Sequence, residues 1–560
     1  MAGPDLRTPD AVARAVDEAA GHYRQGRLDD ADKICARVLK AAPDWFDALH
    51  LAGLVKLDAG KAAAAQVLLA KALKLNPGSA PVLANLGRTL SALNCDDEAM
   101  ASLDKALAIA PDSFDTINTR GNVLLKLNRA ADAIAAFERV LALEPRFLGA
   151  RANLGNALAQ LGRFDEALAH YDALLAVQPA HPETLVNRGS ALAGLGRQEE
   201  ALAAFDRALA LRSDYAKARL GRGASLAALN RHQEALAEYG TLLATDKSNA
   251  DVQHNESLSL LTLGDYRRGF QRYEARWLRT GMPRRKSFGK PLWLGEYPLA
   301  RKTILVAAEQ GLGDTIQFAR YAAQLARGGA KVVLEVQPAL VPLLSRLAGV
   351  SSVVGRGDPL PAYDVYCPAG SLPLALRTEI STIPANVPYL AASEQRVAKW
   401  RERLGPLPSP RIAVAWSGSA SHANDRNRSI TLERFAPLLV GGQGSVVSIQ
   451  RELRDGDADA LARLPNVMHV GDALGDFDDT AAVVALADLV ISVDTSVVHL
   501  AGAMGRPVWA LLPFQPDWRW LLDRADSPWY PTVRLFRQPK PGDWESVMAR
   551  VKEELSRGVI

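Results

Sequence analysis

Hydrophobic and polar positions in the first half of the chain repeat with a period of 34 residues. Within each period, apolar residues recur at helical spacing, as in Leu161–Pro179. Glycine and alanine suit places where two helices cross closely, and proline favours a first helical turn. Three position types share the register: Pro43, Pro77, Pro111, Pro145 and Pro179; Gly53, Gly87, Gly121, Gly155, Gly189 and Gly223; and Ala31, Ala65, Ala99, Ala133, Ala167, Ala201 and Ala235. The pattern therefore predicts repeated helix–turn–helix units.

A helical repeat of 34 residues with this pattern is typical of the tetratricopeptide repeat (TPR). We expect about seven units over residues 9–280. Each unit has an apolar face that it cannot bury alone, so the units are expected to stack into a superhelix with a concave groove. Grooves of this kind bind extended peptides or other proteins, although the fold alone does not identify the ligand.

Amide side chains recur two residues before the repeat glycine. They are Asn85, Asn153, Asn187 and, in the last repeat, which lacks the glycine, Asn255; the series is interrupted at Leu51, Thr119 and Gly221. An amide both donates and accepts hydrogen bonds, so a row of them can bind a peptide main chain regardless of its sequence. The alternative is that asparagine is simply common at this position of the repeat.

A different pattern begins near residue 277. Nine of the ten tryptophans lie from Trp277 onward, and a basic linker, Arg279–Pro291, precedes a region where apolar strands alternate with helical segments. Such alternation predicts parallel sheets covered by helices. Because the pattern restarts after the proline-rich Gly405–Arg411, we expect two Rossmann-like lobes, over residues 281–404 and 405–538, and a C-terminal helix within 539–560. The predicted fold is an all-α TPR solenoid followed by an α/β body.

Composition narrows the function only slightly. The net charge is +4, which ranks a nucleic-acid partner last, and the three cysteines lie too far apart along the chain to suggest a metal site or a disulfide framework. The spaced aspartates of Arg454–Ala460 lack the glycine and glutamate of a calcium loop, so we expect no metal there. No apolar run has signal-peptide or membrane-spanning character, and a cytoplasmic location is expected.

Ligands of parallel α/β sheets bind at the carboxyl ends of strands, which here indicates three junctions. At the junction Asp494–His499, Asp494 or Thr495 can cap the next helix, whose free amide hydrogens suit a phosphate. The hydroxyl groups of Thr495 and Ser496 and a ring nitrogen of His499 can add hydrogen bonds. The alternative is that Asp494 only caps the helix and that His499 packs in the core.

The other two junctions carry a carboxylate and arginines. Ser417–Arg428 has small residues after a strand and then Arg426 and Arg428, which can pair with phosphate; a solvated loop is the alternative. In Glu309–Asp314, Asp314 can accept a proton or merely cap a helix. The remaining candidates are the loop residues Gln310, Gly311 and Gly313 and two possible donor contacts, Gln450 and Trp518; for Trp518, core packing is the alternative.

The stretch Ser492–Pro513 resembles the D-T-x-x-x-H-L-A-x-A-x-G-x-P motif of the heptosyltransferase-like glycosyltransferases, and Gly311–Arg320 resembles their N-terminal loop. The resemblance covers roughly residues 303–535 and implies a GT-B transferase that uses a nucleotide-sugar and no metal. It implies that Asp314 is the catalytic base, that Arg428 binds phosphate, and that Asp494, Thr495 and His499 belong to the loop that holds the donor phosphate. The segment Phe514–Gln538 departs from the family and leaves the donor sugar and base open.

The two-part architecture resembles that of protein O-linked N-acetylglucosamine transferases and of bacterial flagellin glycosyltransferases. This resemblance implies transfer to a Ser or Thr hydroxyl of a protein, flagellin among the candidates, that the TPR groove recruits. One alternative is a glycosyltransferase with a lipopolysaccharide or other glycan acceptor, in which the TPR part is a scaffold for partners. The other is a non-enzymatic TPR scaffold with a degenerate transferase body.

Overall fold

The computed structural model describes residues 8–279, 281, 284–422, 424–440 and 444–558. The chain forms two compact units, Met1–Arg222 and Gly223–Ile560. The predicted linker Arg279–Pro291 lies partly outside the described residues. The first sixteen helices are α1 (Pro9–Arg24), α2 (Leu28–Ala41), α3 (Phe46–Asp58), α4 (Ala62–Leu75), α5 (Ala80–Ala92), α6 (Asp96–Ile109), α7 (Phe114–Lys126), α8 (Ala130–Leu143), α9 (Leu148–Gln160), α10 (Phe164–Val177), α11 (Pro182–Gly194), α12 (Gln198–Leu211), α13 (Ala216–Ala228), α14 (His232–Thr245), α15 (Ala250–Thr262) and α16 (Tyr266–Tyr273).

These helices form a TPR solenoid, which confirms the predicted fold. They make eight helix pairs in the described part of the chain, where about seven units were expected. The pair α15–α16 lies within the predicted range of 9–280, but its two landmark positions are altered. Ser257 stands where the repeat has glycine, and Gly269 stands where it has alanine.

The repeat glycines lie under aromatic or leucine side chains of the following helix. A Cβ atom at Gly121 would lie 2.5 Å from Cε1 of Phe137, and one at Gly155 would lie 2.6 Å from Cε1 of Tyr171. Such contacts are far shorter than van der Waals separation, so no larger residue fits while the two helices keep their distance. The 34-residue spacing of glycine thus follows from the close crossing within each helix pair.

Replacing Gly121 with alanine is expected to destabilise the protein by about 1–3 kcal/mol, the usual cost of overpacking a filled core. The control is Gly149→Ala in α9, where the nearest atom to an added Cβ is 3.7 Å away and alanine favours the helix by about 1 kcal/mol. Urea unfolding followed by circular dichroism measures both. Equal shifts of the two midpoints, in direction and size, would contradict this explanation of the glycine period.

Two parallel sheets form the α/β body. Its strands are β1 (Thr303–Ala307), β2 (Lys331–Val336), β3 (Ser352–Gly355), β4 (Val365–Pro368), β5 (Arg411–Ala415), β6 (Ser445–Ser448), β7 (Val467–His469), β8 (Leu489–Val493), β9 (Val508–Leu512) and β10 (Val533–Arg537). The four-stranded sheet has the order β3-β2-β1-β4, and the six-stranded sheet has the order β10-β9-β8-β5-β6-β7. The α/β body with parallel sheets confirms the predicted fold class.

Helices flank these strands. They are α17 (Leu312–Ala319), α18 (Tyr321–Arg327), α19 (Val341–Leu344), α20 (Leu372–Ala375), α21 (Glu394–Leu404), α22 (Asp425–Arg428), α23 (Leu432–Phe435), α24 (Asp457–Ala462), α25 (Phe477–Leu486), α26 (Ser496–Ala503) and α27 (Trp544–Ser556). The strand β3 has only four residues, and charged residues interrupt β10. The helical segment after β1 begins at Leu312 and is broken at Arg320.

The strand order fixes where a ligand can bind. In each sheet, the strand that comes first along the chain lies between two later strands. β1 lies between β2 and β4, and β5 lies between β6 and β8, so the chain leaves the first strand toward one side and later returns to its other side. Loops that leave such a pair of strands diverge and open a crevice at their carboxyl ends. The strands β8 and β9 are buried along their whole length, so only their ends are available to a ligand.

Candidate functional site

A cleft of about 1110 Å³ lies within the second unit, at the carboxyl ends of β1, β5 and β8. It brings together residues of all three junctions indicated by the sequence. The predicted site residues that line it are Gln310, Gly311, Gly313, Asp314, Ser417, Arg428, Gln450, Asp494, Thr495, Ser496, His499, Trp518 and Asn255. The tertiary structure therefore gathers residues separated by more than 200 positions into one cavity.

Asp314 lies in the first turn of α17, and the chain holds both of its carboxylate oxygens. Oδ2 accepts a hydrogen bond from the backbone N–H of Gly311 at 2.9 Å, and Oδ1 accepts one from Nη2 of Arg519. The side chain is 26% exposed and borders the cleft. The carboxylate is thus oriented from two sides.

Arg519 was not among the residues that the sequence suggested. Burial lowers the pKa of its guanidinium, but the carboxylates of Asp517 and Asp314 outweigh burial and raise that pKa above its ordinary value. Nη1 of Arg519 donates to Oδ1 of Asp517 at 2.8 Å. Arg519 is a permanent cation at the cleft surface. Arg519 stands between Trp518 and Trp520, and these two aromatic residues drew the attention to stacking and core packing.

His499 is both a packed histidine and a cleft residue. Its Nδ1 lies 3.0 Å from the hydroxyl oxygen of Tyr530, and its ring stacks on Trp520 at 5.5 Å between centroids. Burial lowers the pKa of His499 well below its ordinary value, and the cation Arg519 lowers it further. The imidazole is therefore neutral. If the Tyr530 hydroxyl donates to Nδ1, Nε2 carries the proton and is the remaining donor.

Gly313 allows α17 to approach α26. A Cβ atom at this position would lie 2.8 Å from Cδ2 of His499 and 3.4 Å from Cα of Ser496. Any side chain here would push the loop that carries Asp314 away from the loop that carries Thr495. The neighbouring Gln310 is fixed from the opposite side, because its Nε2 donates to the hydroxyl of Tyr273 at 2.8 Å.

Arg428 is the last residue of the single-turn helix α22. Its side chain contacts the junction Asp494–His499. Its Nη1 donates to the backbone carbonyl of Asp494 at 3.1 Å, whereas its buried Nε has no hydrogen-bond partner among the described residues. The guanidinium packs on Gly418, where a Cβ atom would lie 2.5 Å from Nη2. One residue of the preceding loop, Ala423, lies outside the described residues. Arg428 thus keeps N–H groups that an anion can use.

Thr495, not Asp494, caps helix α26, because its side chain accepts a hydrogen bond from the N–H of Val497 at 3.3 Å. Asp494 therefore keeps its carboxyl group for the cleft. Burial, followed by the negative charge of Asp517, raises the pKa of Asp494 to about 7. The Asp494 carboxyl therefore holds its proton to a higher pH than an ordinary aspartate does.

The sequence did not decide whether Gln450 and Trp518 contact the donor or have a structural role. Oε1 of Gln450 accepts hydrogen bonds from the N–H groups of Trp416 and Ser417, both at 3.0 Å, and its Nε2 donates to Oγ of Ser417 at 2.9 Å. Its amide thus holds the Ser417 junction in shape. Trp518 is 4% exposed and packs edge-on against Phe270 at 5.5 Å, as its core-packing alternative requires.

The structure adds further cleft residues that the sequence did not single out. Arg451 follows β6, is exposed, and has no ion pair or hydrogen bond within the described ranges. His422 and Asp517 lie on the same rim as Arg428. A helical wall completes the cavity, with the residues Ala224, Ala227, His232, Tyr239, Leu258, Ser259 and Thr262. A repeat pattern cannot predict such a wall, because the pattern is the same in every repeat and does not show which repeat lines the cleft.

The predicted amide series behaves differently in the two units. In the first unit, the Nδ2 atoms of Asn85, Asn153 and Asn187 donate to His50, Asn118 and Asn156 at 2.9, 3.2 and 2.9 Å. Asn85 also lines a second groove, of about 570 Å³, together with Asn118 and Asn122. Asn255, in the second unit, has no hydrogen-bond partner in the part of the chain that is described, and it lines the cleft. The peptide-binding role of these amides stays a prediction.

No group of three or more His, Cys, Asp or Glu side chains suited to a metal ion occurs among the residues described. None of the helices within these ranges combines the length and the apolar character needed to cross a membrane.

Comparisons with known proteins identify parts of the chain. Tetratricopeptide-repeat families match residues 56–116, 118–183 and 186–251. The family described as "Glycosyltransferase family 9 (heptosyltransferase)" matches residues 474–517, which contain Asp494, His499 and Asp517. One curated relative, "Protein FlbA" of Caulobacter vibrioides, is 28% identical over 322 residues. That match covers 53% of this chain and 53% of the relative, so the chain spans about half the length of that protein.

Solved structures with similar folds are repeat proteins. A tetratricopeptide repeat protein from Parabacteroides merdae is 16% identical and has a TM-score of 0.37, covering 44% of this chain and 98% of its own. A thermophilic TPR protein in Thermus thermophilus is 25% identical with a TM-score of 0.29, covering 32% and 98%. The family matches and the curated relative support a TPR-containing, glycosyltransferase-like protein.

Proposed function

We propose that this TPR-containing, glycosyltransferase-like protein moves a sugar from a nucleotide-sugar donor to a hydroxyl group of a protein acceptor, with a GT-B body and without a metal ion. One observation carries the proposal. The carboxylate of Asp314, the guanidinium of Arg428 and the start of helix α26 line the same cleft, at the strand ends of two parallel sheets.

The donor phosphates are assigned to the side of the cleft formed by α22 and α26. Arg428 supplies an N–H group without a hydrogen-bond partner among the described residues, and the first turn of α26 supplies the positive end of its dipole. The hydroxyl group of Ser496 adds a donor, as does Nε2–H of neutral His499, while Thr495 caps the helix and bonds to Oγ of Ser492 at 3.1 Å. Fixed donors and a cation aimed at a departing phosphate stabilise the charge that develops there, which is the work a metal ion does in other transferases.

Asp314 is assigned as the base. Its carboxylate takes the proton of the acceptor hydroxyl, the hydroxyl oxygen forms a bond to the anomeric carbon of the sugar, and the bond from that carbon to the phosphate oxygen breaks. The phosphate leaves with the electron pair. The ion pair with Arg519 and the hydrogen bond from Gly311 hold the carboxylate in one orientation.

A protein acceptor is favoured by the TPR solenoid, a fold whose grooves bind peptides and proteins. Under this proposal the first lobe, residues 281–404, carries the base and the second lobe, 405–538, binds the donor. A glycan acceptor is the second candidate, and the match of residues 474–517 to a heptosyltransferase family favours it.

The proposal is tested by a thermal-shift screen of the full chain against a panel of nucleotide-sugars and the corresponding free sugars. A donor present at about 100 times its Kd stabilises the folded state by about 2.7 kcal/mol, which gives a readily measured rise in Tm. We expect one nucleotide-sugar class to raise the Tm and the free sugars to have no effect. If none of the nucleotide-sugars shifts the Tm at concentrations up to the millimolar range, the proposal is wrong.

Donor affinity is expected to fall as the pH rises from 6 to 8. The pKa of Asp494 is raised to about 7, so its carboxyl is mostly neutral at pH 6 and mostly charged at pH 8. The groups around it are Asp517, which opposes its ionisation, and Arg428 and Arg519, which favour it. A charged carboxylate repels the donor phosphate, so Kd is expected to rise about tenfold, which is about 1.4 kcal/mol. Isothermal titration calorimetry at both pH values measures it.

The control is Asp494→Asn, which removes the titration and is expected to abolish the pH dependence. The pH dependence of folding stability gives an independent test of the raised pKa of Asp494. A carboxyl whose folded pKa is raised contributes stability that is present at low pH and lost as the pH rises through the folded value of about 7. Asp494→Asn should therefore raise Tm relative to the wild type, and by more at pH 8 than at pH 5. A uniform change in Tm across this range would contradict the assignment.

A further inference from the structure

The loop Trp518–Arg524 lies in the segment that departs from the family resemblance, and it carries two side chains of the candidate site. Arg519 pairs with the carboxylate of Asp314. Trp520 stacks on the ring of His499 at 5.5 Å between centroids. The shape of this loop therefore decides how a partner of the proposed base and a partner of the proposed phosphate site are oriented.

Leu521, in the middle of this loop, has a backbone conformation that leucine rarely adopts. Its φ is 54° and its ψ is −164°, a region that is almost reserved for glycine because a Cβ atom crowds the backbone there. The side chain of Leu521 is 7% exposed and belongs to the main core of the α/β body, so its burial offsets part of the strain. Such strain persists only where surrounding contacts maintain it.

Arg537, the last residue of β10, provides these contacts by binding three carbonyl groups of the loop. Its Nη2 donates to the carbonyl oxygen of Trp520 at 2.6 Å, its Nη1 to that of Leu521 at 3.0 Å, and its Nε to that of Arg524 at 3.0 Å. The first two carbonyl groups lie on either side of the φ and ψ rotations of Leu521. Because the donors of a guanidinium have a fixed planar arrangement, Arg537 fixes both rotations together.

Charge pairing does not explain the position of Arg537. Its guanidinium has no ion pair among the residues that the structure describes, and burial lowers its pKa to about 10, so it is still a cation near pH 7. By contrast, Arg534 of the same strand pairs with Glu554 at 2.8 Å. A partly buried cation without an ion pair costs stability, and the carbonyl groups of the loop are the partners that Arg537 has instead.

We propose that Arg537 is a positioning residue for the transfer reaction, because it holds the strained turn at Leu521 and thereby fixes the direction in which Arg519 and Trp520 enter the cleft. Arg537 itself does not line the cleft. It acts through Arg519, which orients the carboxylate of Asp314. This inference rests on the proposed function and adds to it a residue outside the cleft on which the geometry of the base depends.

The first experiment measures turnover of the full chain with the nucleotide-sugar found by the thermal-shift screen and a pool of short random-sequence peptides that contain serine or threonine. We expect Arg537→Met to lower kcat about tenfold, because a misplaced base reacts poorly. Donor Kd should change by less than about threefold, since Arg428 and helix α26 are held by other groups. Arg537→Lys should recover part of kcat, because lysine keeps the charge but loses the planar fork.

A double-mutant cycle tests whether Arg537 acts through Arg519. In an Arg519→Lys background, Arg537→Met should lower kcat by less than about twofold, because the contact through which Arg537 acts is already lost. The matched control is Arg534→Met, which removes an arginine of the same strand that pairs with Glu554 and does not line the cleft, and kcat should not change.

The second experiment tests the strain at Leu521 and needs no substrate for its first readout. Leu521→Gly and Leu521→Ala both remove the buried side chain, and in an ordinary loop the alanine variant is the more stable one, because glycine has more freedom in the unfolded chain. At the φ of Leu521 we expect the reverse order, with the higher Tm in Leu521→Gly. Its kcat should nevertheless be the lower of the two, because its loop can turn freely. A role in stability alone would make Tm and kcat change in the same direction.

The outcomes separate this inference from the proposed function. If no nucleotide-sugar binds, both are wrong, although the Tm order of the two Leu521 variants still shows whether the turn is strained. If transfer occurs but Arg537→Met keeps the wild-type kcat, or its effect is additive with that of Arg519→Lys, the positioning role is wrong and the proposed function stands. If Arg537→Met does not fold, the Leu521 variants decide, and an equal kcat in the two overturns the positioning role.

Discussion

Replacing Asp314 with asparagine is expected to lower turnover by about a hundredfold to ten-thousandfold, the usual range for loss of a general base. Asparagine keeps the size of the side chain and an oxygen that can accept from the N–H of Gly311. It cannot accept a proton from a hydroxyl group. Donor affinity should stay within about twofold, because Asp314 is assigned to the acceptor hydroxyl and has no part in phosphate binding. Single-turnover transfer and calorimetric donor binding measure the two quantities separately.

Asp517→Asn is the matched control, since Asp517 is the other carboxylate that Arg519 holds, at 2.8 Å. If Asp314 acts only by holding Arg519 in place, the two variants will lose activity equally. If Asp314 is the base, the loss in Asp314→Asn will exceed that in Asp517→Asn by at least about tenfold. Equal losses would leave the active site without an identified base.

Replacing Arg428 with alanine is expected to weaken donor binding by about tenfold to a hundredfold, the range for loss of a charge-assisted hydrogen bond. Arg428→Lys keeps the charge but loses the planar fork, so it should recover only part of the affinity. The control Arg434→Ala removes an exposed arginine of α23 that does not line the cleft, and donor Kd should not change.

Gly418→Ala tests the same guanidinium without altering it. The added Cβ would lie 2.5 Å from Nη2 of Arg428, so the guanidinium must move from its present position. We expect donor Kd to rise nearly as much as in Arg428→Ala. Unchanged donor binding in both variants, with a confirmed donor, would remove Arg428 from the phosphate site.

Much of the candidate site was predictable because its signals are local. Small residues, a capping threonine and a carboxylate directly follow apolar strands in the sequence, and the carboxyl ends of parallel strands meet at one edge of a sheet. The residues Asp314, Arg428 and His499 could therefore be placed near one another without coordinates. The helical wall with His232 could not, because the 34-residue pattern is the same in every repeat and does not show which repeat reaches the cleft.

The sequence by itself determined the repeat period, the change to alternating strands and helices, and the three strand-end junctions. Each of these depends on backbone preferences and on side-chain spacing over a few turns. The tertiary structure decided the partner of Asp314, which is Arg519, 205 residues away, and the use of the ring nitrogen of His499 that faces Tyr530. It also decided the pKa of Asp494, because the loss of water around a carboxyl depends on everything packed against it. Spacing along the chain carries no record of such distant contacts or of the dielectric surroundings they create.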